Sequence, residues 1–557
     1  MTLKVFSWRS HRPRSWLSCL TSVLPVPSLG PVVNLAIAFN RSRDPVRAVG
    51  FAMEPEYAAL TAALVRHLGP FHSDGSPWSL GASGFGGRGL FASRDISTDE
   101  VIFEDRPIIV GPRAGRDEQV TCVVCHEHVP RSEMCPGGCG LPVCHASAAC
   151  AQDETHAREC KLLASWQPLK TATVSDNVLR ALTSVRSLLL APDPLALLNS
   201  LQANHCHQTE TEINRAVAEF GNFPHDQPEI LRQLFATSAV LNTNAFETKL
   251  VSEYEDRKSL RGSGRGLYPL ACMMNHQCIP NVRYCFDAKH TMRVQATKPI
   301  RRGEEIFTSY IQIFWGTYSR RVHLAATKDF MCSCSRCADP TEGGAYLSAL
   351  KCPKDSCEGR LLPLQPLVLG SSWSCDVCST EMNNKKVSRV QDVLSALIIT
   401  KIRKSDPRIV LDFLKTCINN IMPDSNQFIV ELKLFVIWNL GNDGKHDYTL
   451  EEFQAKEKFC LELMGLLEQM GAGECTIKAL IYFELYKCRE QLVKLQRQED
   501  EEQEAKYRVL NRKLLDRSWS MLKWSVGAPP ELRQLMQRIC AAECEDREKS
   551  SLNGSHH

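Results

Sequence analysis

Asn275-His-Gln-Cys-Ile-Pro-Asn281 and Gly303-Glu-Glu-Ile-Phe-Thr-Ser-Tyr310 open and close the stretch of sequence that decides the fold. The stretch combines an Asn-His pair, a cysteine of the kind that binds metals, a turn-forming Pro-Asn and a terminal tyrosine. Polar chemistry of this kind in apolar surroundings usually marks a functional site. We therefore interpret residues 274–310 as the centre of a site around which the other segments can be placed.

These two segments resemble the signature segments of the SET methyltransferase core, Asn-His-x-Cys-x-Pro-Asn and Gly-Glu-Glu-(x)3-Ser-Tyr. The resemblance implies an α+β, multidomain protein with a SET β-fold, in which the first segment threads under the second in a pseudoknot. It implies an S-adenosylmethionine-dependent protein-lysine N-methyltransferase acting on histone or non-histone proteins. In such an enzyme Asn275 and His276 bind the methyl donor.

Tyr310 is the residue to which we assign the central catalytic role. A lysine amine, with an ordinary pKa of about 10.4, must be neutral before it attacks a sulfonium methyl in line. The sequence offers no obvious dedicated base. The resemblance implies instead a narrow apolar channel that favours the neutral amine, with the Tyr310 hydroxyl orienting it beside the donor.

Composition limits the classes of protein to consider. The 557 residues, 43% hydrophobic and 23% charged, are typical of a globular chain of three or four domains. A net charge of +3 is too small for a long-range electrostatic attraction of nucleic acid. No apolar run reaches the roughly 18 residues of a membrane helix. The 25 cysteines occur mainly in short pairs, which favours zinc sites in a reducing nuclear or cytoplasmic compartment.

A glycine-dense loop precedes the central stretch. Gly84-Phe-Gly-Gly-Arg-Gly lets backbone amides approach a ligand closely, although in isolation a plain tight turn between two strands is the better explanation. The SET resemblance implies that Gly87, Arg88 and Gly89 lie against the methyl donor.

A second upstream element is Leu241-Asn-Thr-Asn-Ala-Phe246, which resembles the Asn-x-Phe element of SET inserts. The resemblance implies that Asn244 contacts the donor and that Phe246 packs beneath it. The basic, glycine-rich residues 257–266 that follow predict a mobile loop.

Between the glycine loop and this element lies a cluster of soft ligands sufficient for two tetrahedral zinc sites. It resembles a MYND finger, whose ligands interleave. The resemblance implies one zinc on Cys122, Cys125, Cys144 and Cys150, and another on Cys135, Cys139, His156 and Cys160. The spacing to Cys150 is longer than usual, so His145 remains an alternative ligand. MYND fingers dock proline-rich peptides, which makes such peptides a candidate partner class.

A Cys-x-Cys-x2-Cys cluster follows the central stretch. It offers three thiolates, those of Cys332, Cys334 and Cys337, whereas a structural zinc site needs four ligands. The resemblance supplies Cys278 as the fourth, in a post-SET zinc cluster. That zinc would bring Phe330 to the wall shared by the donor and the acceptor amine, where an aromatic face can hold a cationic amine. Plain core packing is the alternative for Phe330.

A further four-cysteine set predicts a small zinc ribbon, and the sequence after it is helical. The ribbon ligands are Cys352, Cys357, Cys375 and Cys378, which brings the expected zinc content to about four ions per chain. The ribbon resembles that of the arthropod-type branch of the SET-and-MYND family. The resemblance also implies a TPR-like helical domain at the C-terminus, although no clean repeat of that kind is evident.

The predicted domain boundaries follow from these segments. They are 1–53 for a disordered extension, 54–80 for a leading helical segment, 81–121 for the N-terminal part of the SET fold, 122–160 for the MYND-type finger, 161–266 for a helical SET insert, 267–311 for the SET core, 312–340 for the post-SET cluster, 341–384 for the ribbon, 385–547 for the helical domain and 548–557 for a disordered tail. Residues 1–43 also resemble an organellar transit peptide, so mitochondrial import stays an alternative; prolines that interrupt any amphipathic helix favour the extension.

The expected partner is a protein carrying the acceptor lysine, and the chain is expected to act as a monomer without nucleic acid or membrane. The main alternative is a zinc-scaffolded adaptor or corepressor with a weak or inactive SET fold. The joint presence of Asn275, His276 and Tyr310 favours the enzyme.

Overall fold

Five small sheets carry the strands in the part of the chain that the structure describes, and two of them contain strands of the central stretch. The computed structural model describes residues 55–112, 120–126, 128–144, 148–169, 171, 173–204, 207–251, 260–400, 406–416, 421–442, 444, 447–496 and 501–553. The strands are β1 Trp78–Ala82, β2 Arg88–Ala92, β3 Val101–Asp105, β4 Ile109–Pro112, β5 Phe246–Val251, β6 Leu260–Leu267, β7 Asn275–His276, β8 Val282–Phe286, β9 Met292–Ala296, β10 Phe307–Thr308, β11 Leu350–Lys351, β12 Arg360–Pro363, β13 Trp373–Cys375 and β14 Glu381–Met382.

The strands pair as β1-β2, β3-β9-β8, β4-β6-β5, β7-β10 and β11-β12-β13-β14. The pair β7-β10 is parallel, with Phe307 opposite Asn275 and Thr308 opposite His276, whereas the other pairings are antiparallel. The two signature segments therefore lie side by side, although the paired residues Asn275 and Phe307 are about thirty positions apart in the sequence.

Helices occupy the segments in which apolar residues recur at helical spacing. They are α1 Pro55–Leu68, α2 Ala148–Gln152, α3 Glu154–Ser165, α4 Asp176–Arg186, α5 Pro192–Asn199, α6 His207–Val217, α7 Pro228–Asn244, α8 Thr317–Lys328, α9 Ser335–Ala338, α10 Asn384–Thr400, α11 Pro407–Thr416, α12 Gln427–Asn439, α13 Leu450–Gln469, α14 Thr476–Gln496, α15 Glu501–Leu522 and α16 Pro530–Asn553. Thr449 and Glu452 form a capping box at the start of α13, as their spacing indicates. Among the described residues, no helix is both long and apolar enough to span a membrane.

The glycine-rich segment 257–266 is not simply the predicted mobile loop, because β6 begins at Leu260 and forms the centre of a three-stranded sheet. Pairing with β4 and β5 on both sides satisfies its backbone, which local composition alone does not reveal. Gly266 is required there, since a Cβ atom would lie 2.7 Å from the ring of Tyr268.

Several other sequence expectations fall outside the described residues. They concern residues 1–53 and His145. The C-terminal helix α16 extends to Asn553, past the predicted domain boundary at residue 547.

The C-terminal helices dock onto the sheet β3-β9-β8. Arg517 on α15 places Nη1 2.7 Å from Oδ2 of Asp99, and the Val526 amide donates to the Phe286 carbonyl at 2.7 Å. Asp99 also pairs with the buried Arg283 of β8. These contacts fix one side of this sheet, whereas β7 and β10 form a separate pair of strands.

The Asn281 side chain joins the two signature segments. Its Nδ2 donates to the Glu305 carbonyl at 2.9 Å, and its Oδ1 accepts from the Phe307 amide at 2.7 Å. Asn281 is 7% exposed, so neither backbone group has ready access to water if the side chain is lost.

We expect Asn281→Ala to lower the free energy of unfolding by about 2 kcal/mol or more, since two buried hydrogen bonds lose one partner each. Thermal unfolding followed by tryptophan fluorescence will measure the effect. Asn222→Ala is the control, because Asn222 is exposed and makes one side-chain hydrogen bond, at 3.3 Å to the Ser165 carbonyl. Equal shifts for the two variants would show that Asn281 does not hold the segments together.

Candidate active site

Tyr310 lies where β10 leaves its pairing with β7. Its backbone amide donates to Nδ1 of His276 at 3.1 Å, and its hydroxyl donates to the Met274 carbonyl at 2.8 Å. Burial raises the pKa of Tyr310, so the hydroxyl stays protonated at neutral pH. Because its hydrogen is engaged with Met274, the hydroxyl oxygen can offer only its lone pairs to a further group.

The His276 ring lies at the junction, the place where β7 and β10 pair and Tyr310 follows. Because Nδ1 accepts from the Tyr310 amide, the proton resides on Nε2, which lies 3.4 Å from Sγ of Cys278. Burial lowers the pKa of His276 to about 4, which keeps the ring neutral. Both ring nitrogens thus face protein atoms. Any contact of His276 with the methyl donor would therefore use the backbone of His276.

Asn275 faces the glycine loop. Its Nδ2 donates to the Arg88 carbonyl at 2.9 Å and to Oε1 of Glu305 at 2.7 Å. Both amide hydrogens are used in this way, so Oδ1 is left as an acceptor. The turn between β1 and β2 contains Gly87, whose φ of 71° suits glycine, and a Cβ atom on Gly89 would lie 2.5 Å from Oε1 of Glu305.

Glu305 is a site residue that the sequence analysis identified only as a member of its motif. Its carboxylate accepts from Asn275 and, through Oε2, from Oγ of Ser83 at 2.9 Å. Burial raises the pKa of Glu305, an effect that these two hydrogen bonds partly offset. The fixed orientation of the Asn275 amide therefore depends on Glu305, which sequence spacing could not reveal because the contact partners are far apart in the chain.

Asn244 ends helix α7 close to the same segment. Its Nδ2 donates to the Gln202 carbonyl at 2.6 Å and to the Val240 carbonyl at 2.9 Å, and its own carbonyl lies 3.5 Å from Sγ of Cys272. Phe246 packs edge-on against the rings of Tyr268 and Tyr284. The structure thus brings the end of α7 to the turn that leads into β7.

Aromatic rings line the other side of this junction. The His276 ring centroid lies 5.3 Å from that of Tyr310 and 5.9 Å from that of Phe330, which is 36% exposed. Lys328, the last residue of α8, places its Nζ 5.5 Å from the Tyr310 ring centroid. Lys328 could not be identified from the sequence, because its approach to Tyr310 depends on where α8 ends.

Within the described residues, four groups of cysteine and histidine side chains each bring their ligand atoms within 4.8 Å of one another. They are Cys122, Cys125, Cys144 and Cys150; Cys135, Cys139, His156 and Cys160; Cys278, Cys332, Cys334 and Cys337; and Cys352, Cys357, Cys375 and Cys378. These are the four sets expected from the sequence, and each could hold a metal ion.

The environment of two groups suits a cation bound by thiolates. Sγ of Cys278 lies 3.8 Å from that of Cys332 and 3.5 Å from that of Cys337, close to the edge of a tetrahedron with metal–sulfur bonds of about 2.3 Å. The fully buried Arg320 approaches Sγ of Cys337 at 3.5 Å and offsets thiolate charge. At the second group Nδ1 of His156 faces the buried Glu159, which leaves Nε2 toward Cys135.

Comparison with known proteins identifies the class of this protein. Residues 87–311 match the family model described as SET domain. The protein is 36% identical over 424 residues to the SET domain-containing protein SmydA-8, isoform B, of Drosophila melanogaster, an alignment that covers 75% of this chain and 93% of that protein. The chain therefore belongs to the SET-and-MYND family of protein-lysine methyltransferases.

More distant relatives match as well. The histone-lysine N-methyltransferase ASHR1 of Arabidopsis thaliana is 23% identical over 432 residues, which cover 74% of this chain and 83% of that protein. The alignment with the solved structure of Rubisco LSMT bound to AdoMet covers 81% of this chain and 96% of that chain, at 11% sequence identity. Its TM-score is 0.27, a structural similarity too low to support any argument about the site.

We expect Cys278→Ser to reduce the zinc content of the purified protein by about one ion per chain, because three thiolates no longer close a structural site. Metal analysis by mass spectrometry will measure it. The control is Cys540→Ser, since Cys540 is exposed on α16 and outside the four groups. An unchanged zinc content in Cys278→Ser would contradict the assignment of Cys278 as a ligand.

Proposed function

We propose that this SET-and-MYND family member transfers a methyl group to a protein lysine in a pocket formed by the junction of β7 and β10. The proposed donor-contacting residues are Gly87, Arg88, Gly89, Asn244, Asn275, His276, Tyr310 and Phe330. The observation that carries the proposal is the Tyr310 hydroxyl, which is partly buried and donates to the Met274 carbonyl at the same junction as the Asn275 amide.

The residues present suit S-adenosylmethionine. Asn275 has both amide hydrogens engaged within the protein, so its Oδ1 can accept from the ammonium of an amino-acid moiety. Gly89 keeps the approach to Glu305 open, where any larger residue would collide with the carboxylate. The bound donor supplies an electrophilic methyl group on a sulfonium.

Tyr310 orients the acceptor. Because its hydroxyl hydrogen is donated to Met274, the oxygen accepts an N–H of the incoming amine and turns the nitrogen lone pair toward the methyl group. The rings of Tyr310 and Phe330 give the channel an aromatic lining that can hold the incoming amine. Removal of the amine from water in this channel favours its neutral form. The proton lost by the amine passes to solvent.

The four ligand groups are proposed as structural zinc sites. The two groups between residues 122 and 160 form a MYND-type finger with proline-rich peptides as candidate partners, and the group with Cys278 forms a post-SET site. The sets of four thiolates, or three thiolates and one imidazole, are those that structural zinc prefers. We propose a nuclear or cytoplasmic location, since a reducing compartment keeps these thiols available.

We expect Tyr310→Phe to reduce methyl transfer by about a hundredfold or more while donor binding stays near that of the wild type, because only the orienting oxygen is lost. A protein array with labelled S-adenosylmethionine will measure transfer, and calorimetry with S-adenosylhomocysteine will measure binding. Tyr318→Phe on α8 is the control, since Tyr318 lies near Asp392 and away from Met274. Donor binding and transfer both absent in the wild type would favour the zinc-scaffolded adaptor instead.

We expect Glu305→Ala to weaken S-adenosylhomocysteine binding by about tenfold, because Asn275 loses the acceptor that fixes its amide. Glu305→Gln is the matched variant. Its amide can accept from Asn275 and donate to Oγ of Ser83, so its affinity should remain close to the wild-type value. Equal affinities for wild type and Glu305→Ala would show that Glu305 does not position Asn275.

A further inference from the structure

Lys328 is a lysine of this chain that lies at its own active site. It is the last residue of α8, and its Nζ donates to the Thr243 carbonyl at 2.8 Å and lies 3.5 Å from the Asn242 carbonyl. The same nitrogen lies 5.5 Å from the centroid of the Tyr310 ring. The amine is therefore held between the end of α7 and the proposed catalytic tyrosine.

Lys328 is partly exposed, and its partners differ from those of the buried lysines Lys456 and Lys433. Lys456 bonds Oε2 of Glu484 at 2.9 Å, and Lys433 bonds Oε2 of Glu462 at 2.7 Å. The described contacts of the Lys328 amine are backbone carbonyls and an aromatic face. Burial also lowers the pKa of Lys328, which increases the fraction of neutral amine. These surroundings suit an amine that accepts a methyl group better than an amine that forms a structural ion pair.

The backbone around Lys328 is held by contacts with neighbouring residues, which keeps the side chain close to the site. Its carbonyl accepts from Nδ2 of Asn204 at 3.3 Å, and Asp329 ends the helix in the left-handed region with a φ of 60°. The next residue, Phe330, packs its ring near His276. Tethering of this kind raises the effective concentration of the amine at Tyr310.

We propose that Lys328 is a methyl acceptor, modified at Nζ by the active site of the same chain. This inference rests on the proposed function. The lone pair of the neutral Nζ forms the new N–C bond, the sulfur–methyl bond breaks with its electron pair retained by sulfur, and one proton of Nζ passes to solvent. The products are methyl-Lys328 and S-adenosylhomocysteine.

The test uses the full-length, zinc-replete protein with labelled S-adenosylmethionine and no added substrate. We expect intact-mass analysis to show an added methyl group and peptide mapping to place it on Lys328. Because the reaction is intramolecular, the fraction labelled per unit time should not change with enzyme concentration. Mapping of the wild-type protein makes the test independent of whether any variant folds.

Two matched variants sharpen the result. Lys328→Arg keeps the charge and should lose nearly all of the label, whereas Lys298→Arg should keep it. Lys298 is the appropriate control because burial lowers its pKa as well and its Nζ also donates to a backbone carbonyl, that of Gly471 at 3.3 Å.

The outcomes separate this inference from the proposed function. A protein that binds S-adenosylhomocysteine and methylates array proteins, yet carries no methyl group on Lys328, overturns the inference alone. A labelling rate that rises in proportion to enzyme concentration overturns the intramolecular step. A protein that neither binds the donor nor transfers a methyl group overturns both.

Discussion

The hydrogen bonds of the Asn281 side chain with the backbone of Glu305 and Phe307 are the constraint on which the site depends. They hold two distant segments in parallel, which sets His276 beside the Tyr310 amide. A parallel pair of two-residue strands has little ladder of its own, so side-chain hydrogen bonds must supply much of its stability. Without that register the Tyr310 hydroxyl would not meet the Met274 carbonyl.

Charge compensation at the Cys278 group links this junction to the rest of the chain. Cys278 follows the Asn-His pair after one intervening residue, Gln277, whereas its three partners belong to the segment that carries Phe330. Buried Arg320 faces both Glu342 and Cys337, and Arg336 donates to the Cys278 carbonyl. A buried guanidinium is costly unless negative charge surrounds it, and deprotonated thiols would provide part of that charge.

The orientation of single polar groups determines what the site can do. Glu305 takes one hydrogen of the Asn275 amide, which leaves an acceptor for a ligand, and the Met274 carbonyl takes the hydrogen of Tyr310, which leaves lone pairs for an amine. Lys328 occupies the space beside that tyrosine. The same geometry that would position a substrate lysine thus also positions one from the chain itself.

The sequence by itself determined the family, the two signature segments and the four ligand sets, because these depend on residue type at fixed spacing. It also indicated the capping box of α13. Tertiary structure alone decided that residues 260–267 form a central strand, that Glu305 orients Asn275 and that Lys328 reaches Tyr310. These features arise from contacts between segments distant in the chain, and local composition carries no record of such partners.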